Sequence, residues 1–276
     1  MMSFFRLRLL FAAAAVAISH VVPSDGGPEV KPLLNAHAHN DYEHEHPLFD
    51  ALEQGFTSVE ADVYPVDGKL LVGHNRRDLK PARTLESLYL APLAERVEKN
   101  GGHVFPQVAR FFLLIDIKAE PQETYRILQQ LLAKHANVFT SIEKDEIHPS
   151  AITVVLTGDR PKLDPNDKSL RYVGIDGRVS DLDSSVPVHF MPMISDSWRS
   201  QFHWNGSGEI PSAERAKLID IVNKAHAAGR VVRFWETPEN ENVWRELRAG
   251  GVDLLNTDQL SRLAKFLDSS AAPQHP

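Results

Sequence analysis

From Pro32 onward, short runs of β-branched and aliphatic residues alternate with longer stretches whose apolar residues recur every three or four positions. The runs are Leu33–Ala38, Thr57–Val63, Phe112–Ile117, Ile152–Thr157, Tyr172–Ile175, Val188–Met191, Val231–Trp235 and Val252–Asn256. Runs of this length, ~4–8 residues, suit strands buried on both faces, and such parallel strands need covering helices. The intervening stretches supply them. Pro121–His135 carries Tyr125, Leu128, Leu131 and Leu132 on one stripe, and the segment opening at Pro211-Ser212 carries Leu218, Ile221, Val222 and Ala225 before stopping at Gly229. Glu241–Ala249, closed by Gly250-Gly251, is a third. Eight strands with interleaved helices over roughly 240 residues predict an α/β fold, a single TIM (β/α)8 barrel, spanning residues 32–268. An open doubly wound sheet shares the periodicity, but no GxGxxG or GxxxxGK[ST] follows any strand, so nothing supports a nucleotide fold.

The two ends read differently. Residues 1–22 place Arg6 and Arg8 ahead of an apolar run, Leu9–Ile18, too short to span a bilayer and followed by small residues. That is the pattern of a cleavable signal peptide, and it predicts a secreted or periplasmic protein. Residues 269–276 read as a disordered tail, and Asp159–Ser169 as a polar loop within the domain. The chain has no cysteine, which removes disulfides, thiolate metal sites and cysteine nucleophiles. A formal charge of -7 argues against nucleic acid as a partner, since a basic footprint is needed to displace counterions. Chemistry is therefore left to histidines, carboxylates, hydroxyls or an added metal.

In such a barrel the reactive residues stand where strands end. The first run ends in His37-Ala38-His39-Asn40-Asp41, the second carries Glu60-Ala61-Asp62, and a β-like run, Lys69–Val72, leads to His74. The third ends in Asp116-Ile117-Lys118, the seventh in Trp235-Glu236, and the eighth in Asn256-Thr257-Asp258. Glu60 and Asp62 are two apart, so on a strand both point to one face. Two carboxylates held side by side repel unless a cation sits between them. With Asp116 from the neighbouring strand, three oxygen donors and no thiolate suit one divalent cation, Mg²⁺ or Ca²⁺, better than zinc. His39 and His74, which titrate near neutrality, are the candidate acid–base pair, and Lys118 can hold a phosphate oxygen.

These residues carry a resemblance. HAHNDY, then SVEADVYPVDGKLLVGHN, then LLIDIK resembles the PLC-like phosphodiesterase superfamily, and specifically the glycerophosphodiester phosphodiesterases. HNDY, VEADV, VVLTGD and RFWETP are most similar to the branch of altered inheritance of mitochondria protein 6. The resemblance implies a metal-dependent phosphoric diester hydrolase acting on a glycerophosphodiester-like or phospholipid-like substrate, with transient contact to a membrane surface. It implies that His39 and His74 are catalytic, that Glu60, Asp62 and Asp116 bind the cation, and that Lys118, Asn40 and Trp235 touch substrate. Where glycerophosphodiesterases follow the first histidine with Arg and Gly, this chain has Asn40-Asp41; Arg178 and Arg233 are the candidates for the missing phosphate contact.

Two other readings compete. His37-x-His39 also opens zinc amidohydrolase barrels, with Asp258 as a last-strand ligand and His189 the one middle histidine within reach. A secreted, non-catalytic barrel that only binds is the second; it would have no need of a cation.

Overall fold

The computed structural model describes residues 30–108 and 110–269. The predicted signal peptide, and the tail beyond Ser269, lie outside the described residues. The strands, in chain order, are β1 (Leu33–Ala38), β2 (Phe56–Val66), β3 (Lys69–Val72), β4 (Phe111–Ile117), β5 (Ser141–Glu143), β6 (Glu146–His148), β7 (Ile152–Gly158), β8 (Val173–Gly177), β9 (Met193–Ser197), β10 (Val231–Trp235) and β11 (Leu254–Thr257). The helices are α1 (Phe49–Glu53), α2 (Ala91–Lys99), α3 (Pro121–Ala133), α4 (Trp198–Gln201), α5 (Ser212–Ala227), α6 (Glu241–Ala249) and α7 (Leu260–Ser269). The order β1-β2-β4-β7-β8-β9-β10-β11 is parallel throughout and closes on itself through β11 and β1. The barrel is thus closed, not an open sheet. Among the described residues no helix is long and apolar enough to cross a membrane.

Because strand side chains alternate, each barrel strand sends one set outward to the helices and one set inward. The outward set is mainly apolar, with Val59, Ala61 and Val63 on β2, Leu113, Ile115 and Ile117 on β4, and Val232 and Phe234 on β10 all buried. Helix stripes meet them as the spacing predicts, with Leu218, Ile221, Val222 and Ala225 of α5 buried. Asn40 and Asn240 show how local chemistry sets the ends: Asn40 adopts the left-handed conformation at the exit of β1, and the Asn240 side chain caps α6 by accepting from Val243 N at 3.0 Å.

The inward set is divided along the barrel axis. Toward the N-terminal ends Phe112, Leu114, Val155, Met193 and Leu254 form a small apolar cluster. Toward the C-terminal ends the interior turns polar and charged, with His37, Ser58, Glu60, Asp62, Asp176, Ser195, Arg233 and Asn256 all buried. Burying so many polar groups is costly unless they satisfy one another or a ligand.

Several boundaries differ from the sequence reading: β2 runs from Phe56 on to Val66, β4 starts at Phe111 and β7 runs on to Gly158. The sixth barrel strand is Met193–Ser197, not Val188–Met191; that apolar run forms a turn with Val188 partly exposed and Phe190 and Met191 buried. The true strand reads MISDS because its inward positions, Ser195 and Ser197, face the polar interior. The fifth runs on to Asp176 and Gly177, and the eighth to Thr257. β7 is followed by the predicted polar loop, and Ser269 closes α7 as its last residue.

Candidate active site

β2 continues four residues past Asp62 and turns back through Asp67-Gly68, both at positive φ (47° and 74°), into antiparallel β3. Two such residues in sequence are the type I′ hairpin geometry. The return brings Gly73 N to within 3.1 Å of Asp62 O, and so sets His74 directly over the acid it follows by twelve residues. His74 Nδ1 lies 3.0 Å from Asp62 Oδ2.

The predicted residues converge. His39, Asn40, Glu60, His74, Asp116, Lys118 and Trp235 all line one cleft of about 480 Å³ at the C-terminal ends of the strands, with Thr157, Gly158, Asp159, Arg178, Arg233 and Glu236. Asp62 is wholly buried beneath it. Oxygens of Glu60, Asp62 and Asp116 lie within 4.8 Å of one another. Two oxygens across an ion at 2.0–2.6 Å can be ~4–5 Å apart, so the triad has the span that Mg²⁺ or Ca²⁺ requires. Asp62 Oδ1 is buried with no hydrogen-bond partner, an acceptor left open inside the barrel. The donor set and this orphaned oxygen fit a hard divalent cation.

Each carboxylate has a different counterpart. Burial alone would raise the Glu60 pKa, but the adjacent Arg233 guanidinium, with Nη2 2.5 Å from Oε2, and the His37 ring hold the carboxyl far below the usual range. Arg233 Nε also donates to Asn256 Oδ1 at 2.9 Å, and its side chain is buried. Lys118 Nζ bridges Asp62 at 2.9 Å and Asp116 at 3.2 Å. Asp116 is pushed up to about 6, first by burial and then by the charge of Glu60. Glycine at position 158 makes room for it: a Cβ there would meet Asp116 Oδ1 at 2.0 Å, and the residue sits at φ +70°.

The two histidines are held by carboxylates. His39 Nδ1 is 2.8 Å from Asp258 Oδ1. Burial works against the charged ring, yet the hydrogen bond to Asp258 and the charge of Glu60 outweigh it and raise the pKa. His37 is different. Its Nδ1 contacts Ser58 Oγ at 2.7 Å and its Nε2 contacts Glu60 at 3.3 Å, while burial and Arg233 drive its pKa down to about 3. Both ring nitrogens are engaged and the ring is neutral, so His37 supports Glu60 and is no open metal ligand. His189 lines a separate, mostly apolar cavity with Thr153, Gly174 and Pro192 at the N-terminal ends of the strands. With His37 spent, His189 at the wrong end and Asp258 on His39, the zinc amidohydrolase arrangement is absent among the described residues.

Sequence reasoning passes over Asp176; it places Glu236 at the seventh strand end, and meets Tyr42 only within the HNDY motif. Asp176, fully buried and pushed up to about 6 chiefly by burial, accepts from Thr157 Oγ1 at 2.9 Å and from Arg178 Nη1 at 2.8 Å. Its signal is hidden because the sequence run stops at Ile175, two residues before the strand ends at Gly177. Glu236, left-handed at φ 55°, accepts from Ser197 Oγ at 2.6 Å. Behind it Phe234 packs edge-on against Trp198 and Phe202, at 5.7 and 5.6 Å between centroids, which fixes the strand end carrying Trp235. Tyr42, the last residue of HNDY, reaches Asp62.

A closed parallel barrel with two histidines and three carboxylates at its C-terminal strand ends is a TIM barrel of the PLC-like phosphodiesterase type. The chain belongs to the family described as AIM6-like phosphodiesterase domain, which matches residues 27–169; residues 231–261 match the glycerophosphoryl diester phosphodiesterase family. Altered inheritance of mitochondria protein 6 of Saccharomyces cerevisiae is 31% identical over 84% of this chain and 70% of its own length. The homologue from Arthroderma benhamiae is 30% identical over 87% of this chain and 85% of its own. In fold the chain is similar to a glycerophosphodiester phosphodiesterase from Parabacteroides distasonis, with a TM-score of 0.53 at 16% identity over 86% of this chain and 98% of that one. A second such enzyme, from Agrobacterium tumefaciens, gives 0.52 at 14% identity over 86% and 100%.

Proposed function

We propose that this protein is a phosphoric diester hydrolase that uses His39 and His74 as an acid–base pair beside one divalent cation. The observation that carries this reading is the charge arrangement of the cleft. Among the described residues the Lys and Arg partners of Glu60, Asp62 and Asp116 are Lys118 and Arg233, so these five groups together carry one negative charge. A divalent ion on the triad reverses this to one positive charge, the complement of a phosphodiester.

The bound ion would be held by Glu60, Asp62 and Asp116, and would supply polarisation of the phosphoryl oxygens and neutralisation of developing charge. The remaining work falls to side chains. Arg178 spends Nη1 on Asp176, Gly177 O and Ser195 O, and no other atom of its guanidinium has a partner among the described residues. With Lys118 it grips the non-bridging oxygens, a role better suited to Arg178 than to buried Arg233. His74, oriented by Asp62, removes the proton from water or from a substrate hydroxyl. His39, held charged by Asp258, delivers its Nε2 proton to the leaving alkoxide. Trp235 forms a wall of the cleft against the alcohol portion. Attack by a substrate hydroxyl would give a cyclic phosphate; attack by water would give the monoester directly.

The substrate class is a small or lipid-derived phosphodiester, and encounter at a membrane surface in a secreted or periplasmic setting completes the reading. Hydrolysis of bis(p-nitrophenyl) phosphate with Mg²⁺, Ca²⁺ or EDTA tests it, alongside His39→Ala and Asp116→Asn. Cation-dependent turnover lost in both variants is expected. A folded protein that binds no cation and turns over no diester, glycerophosphodiesters and lysophospholipids included, would sink it.

A further inference from the structure

Tyr42 is buried, and its hydroxyl stands among three polar side chains of the site: Asp62 Oδ2 at 2.7 Å, the Asn40 amide oxygen at 2.8 Å and His74 Nδ1 at 3.3 Å. Asn40 in turn faces His39 Nδ1 at 3.1 Å with its amide nitrogen, and His39 Nδ1 faces Asp258 at 2.8 Å. The chain of contacts runs without a break from one candidate acid–base histidine to the other.

Counting protons fixes its direction. A phenol has one proton to donate, and two acceptors compete for it. If it went to Asn40, the Asp62 carboxylate would face a bare phenol oxygen at 2.7 Å. The Asn40 amide would then donate to His39 Nδ1, leaving that nitrogen no proton for Asp258. Turning the amide by 180°, which exchanges its oxygen and nitrogen in place, removes both conflicts. Asn40 then donates to the Tyr42 oxygen, Tyr42 donates to Asp62, and the Nδ1–H of His39 is shared between Asp258 and the Asn40 oxygen. His74 Nδ1–H donates to Asp62. Each of these contacts then pairs a donor with an acceptor, and both histidines are left presenting Nε2.

We propose that Tyr42 is a positioning residue that ties the two histidines together, holding the Nδ1–H of each on its acceptor so that Nε2, which carries the acid proton when His39 is charged, is directed to the cleft. The assignment of catalytic roles to those histidines rests on the hydrolase reading above; the tautomers do not. The loop that carries Tyr42 is built for rigidity. Buried Asp41 accepts from Leu48 N and, at 2.8 Å, from Tyr89 Oη, and Arg83 donates to the Tyr42 carbonyl. Such outer partners of site residues are worth about 10- to 100-fold in activity when removed.

The test is Tyr42→Phe, which keeps the buried ring and deletes only the hydroxyl, with Asn40→Ala as a second cut in the same chain. Long-range ¹H–¹⁵N spectra of the imidazoles report the tautomer of each ring in the folded protein. Recorded at a pH high enough that both rings are neutral, the wild type is expected to show Nδ1–H signatures for His39 and His74, and each variant a shift of His39 toward Nε2–H. Turnover of bis(p-nitrophenyl) phosphate should fall about 10- to 100-fold in kcat with KM within about twofold. Wild-type tautomers other than Nδ1–H, or a His39 signal unmoved by Tyr42→Phe, would overturn the proposal. A wild type that turns nothing over defeats the hydrolase reading and leaves the spectra to decide this one.

Discussion

Arg233 and Glu60 meet across the barrel interior, 2.5 Å apart, from strands that are not neighbours: β10 and β2 are separated by β11 and β1. Both side chains are buried, and Asn256 and His37 complete the cluster. This pair explains how a carboxylate can remain ionised at the centre of a packed barrel, ready for a cation. It also gives Arg233 a structural task in place of the phosphate contact for which the sequence makes it a candidate.

Removing Arg233 should therefore destabilise before it does anything else. Arg233→Ala leaves Glu60 buried without its cation, a change worth about 3–5 kcal/mol for an uncompensated charge. Urea unfolding should show it as a lowered midpoint. Arg178→Met is expected to do the reverse, costing less stability because Asp176 titrates near 6 and can take up a proton, while KM for a phosphodiester rises about 10-fold or more. Equal stability losses in the two variants would contradict the division of roles.

The His39–Asp258 contact predicts a pH dependence. The folded pKa lies above the ordinary histidine value of 6.5, so the stabilisation of charged His39 is fully present below that value. It is lost as pH rises through the raised pKa. A rate that needs protonated His39 should decline over the same basic range. Asp258→Asn removes the anion and should move both the ring titration, followed by NMR, and the basic limb of kcat to lower pH. An unmoved titration would show that Asp258 does not set the charge of His39.

What the sequence made legible, and what it hid, follows from how far each signal reaches along the chain. Glu60-x-Asp62, His74 and Asp116-x-Lys118 are visible because strand period and hairpin geometry are local, and these residues do line one site or lie beneath it. The sixth strand was misplaced because an inward face lined by serines reads as a loop, while the apolar Val188–Met191 turn reads as a strand. The His39–Asp258 and Tyr42–Asp62 contacts join parts of the chain 219 and 20 residues apart, and no periodicity announces them. The closed order of the barrel, likewise, depends on β1 meeting β11, which alternation of strands and helices does not specify.

If the triad holds a cation as proposed, Asp116 should couple its binding to pH. Burial, then the Glu60 charge, raises its pKa to about 6, so without an ion this carboxyl favours the folded state most below the ordinary aspartate value of 3.8, and that contribution is lost as pH rises through about 6. A cation must displace the proton. Affinity for Mg²⁺ or Ca²⁺ should climb about tenfold per pH unit between pH 4 and 6 and level off above. Calorimetry in buffers of different ionisation enthalpy should register proton release at pH 5 and little at pH 8. Asp116→Asn should abolish the proton release. At a hundredfold excess over Kd the ion should add about 2.7 kcal/mol to stability, reversed by EDTA.

Gly158 supplies the most local test of the carboxylate cluster. Alanine there would place Cβ 2.0 Å from Asp116 Oδ1 and 2.7 Å from the Ile117 carbonyl, contacts no relaxed structure tolerates, at a φ that L-residues rarely adopt. The backbone carbonyl cannot swing away, because it accepts from Asp159 N at 2.8 Å. The Asp116 carboxylate is the part that can move, and it must move out of reach of Glu60 and Asp62. Gly158→Ala should thus lose roughly 1–3 kcal/mol of stability from strain and, separately, weaken cation binding. Asp116→Asn provides the comparison. If Gly158→Ala lowered stability but bound Mg²⁺ or Ca²⁺ as tightly as the wild type, Asp116 would have no part in holding the ion.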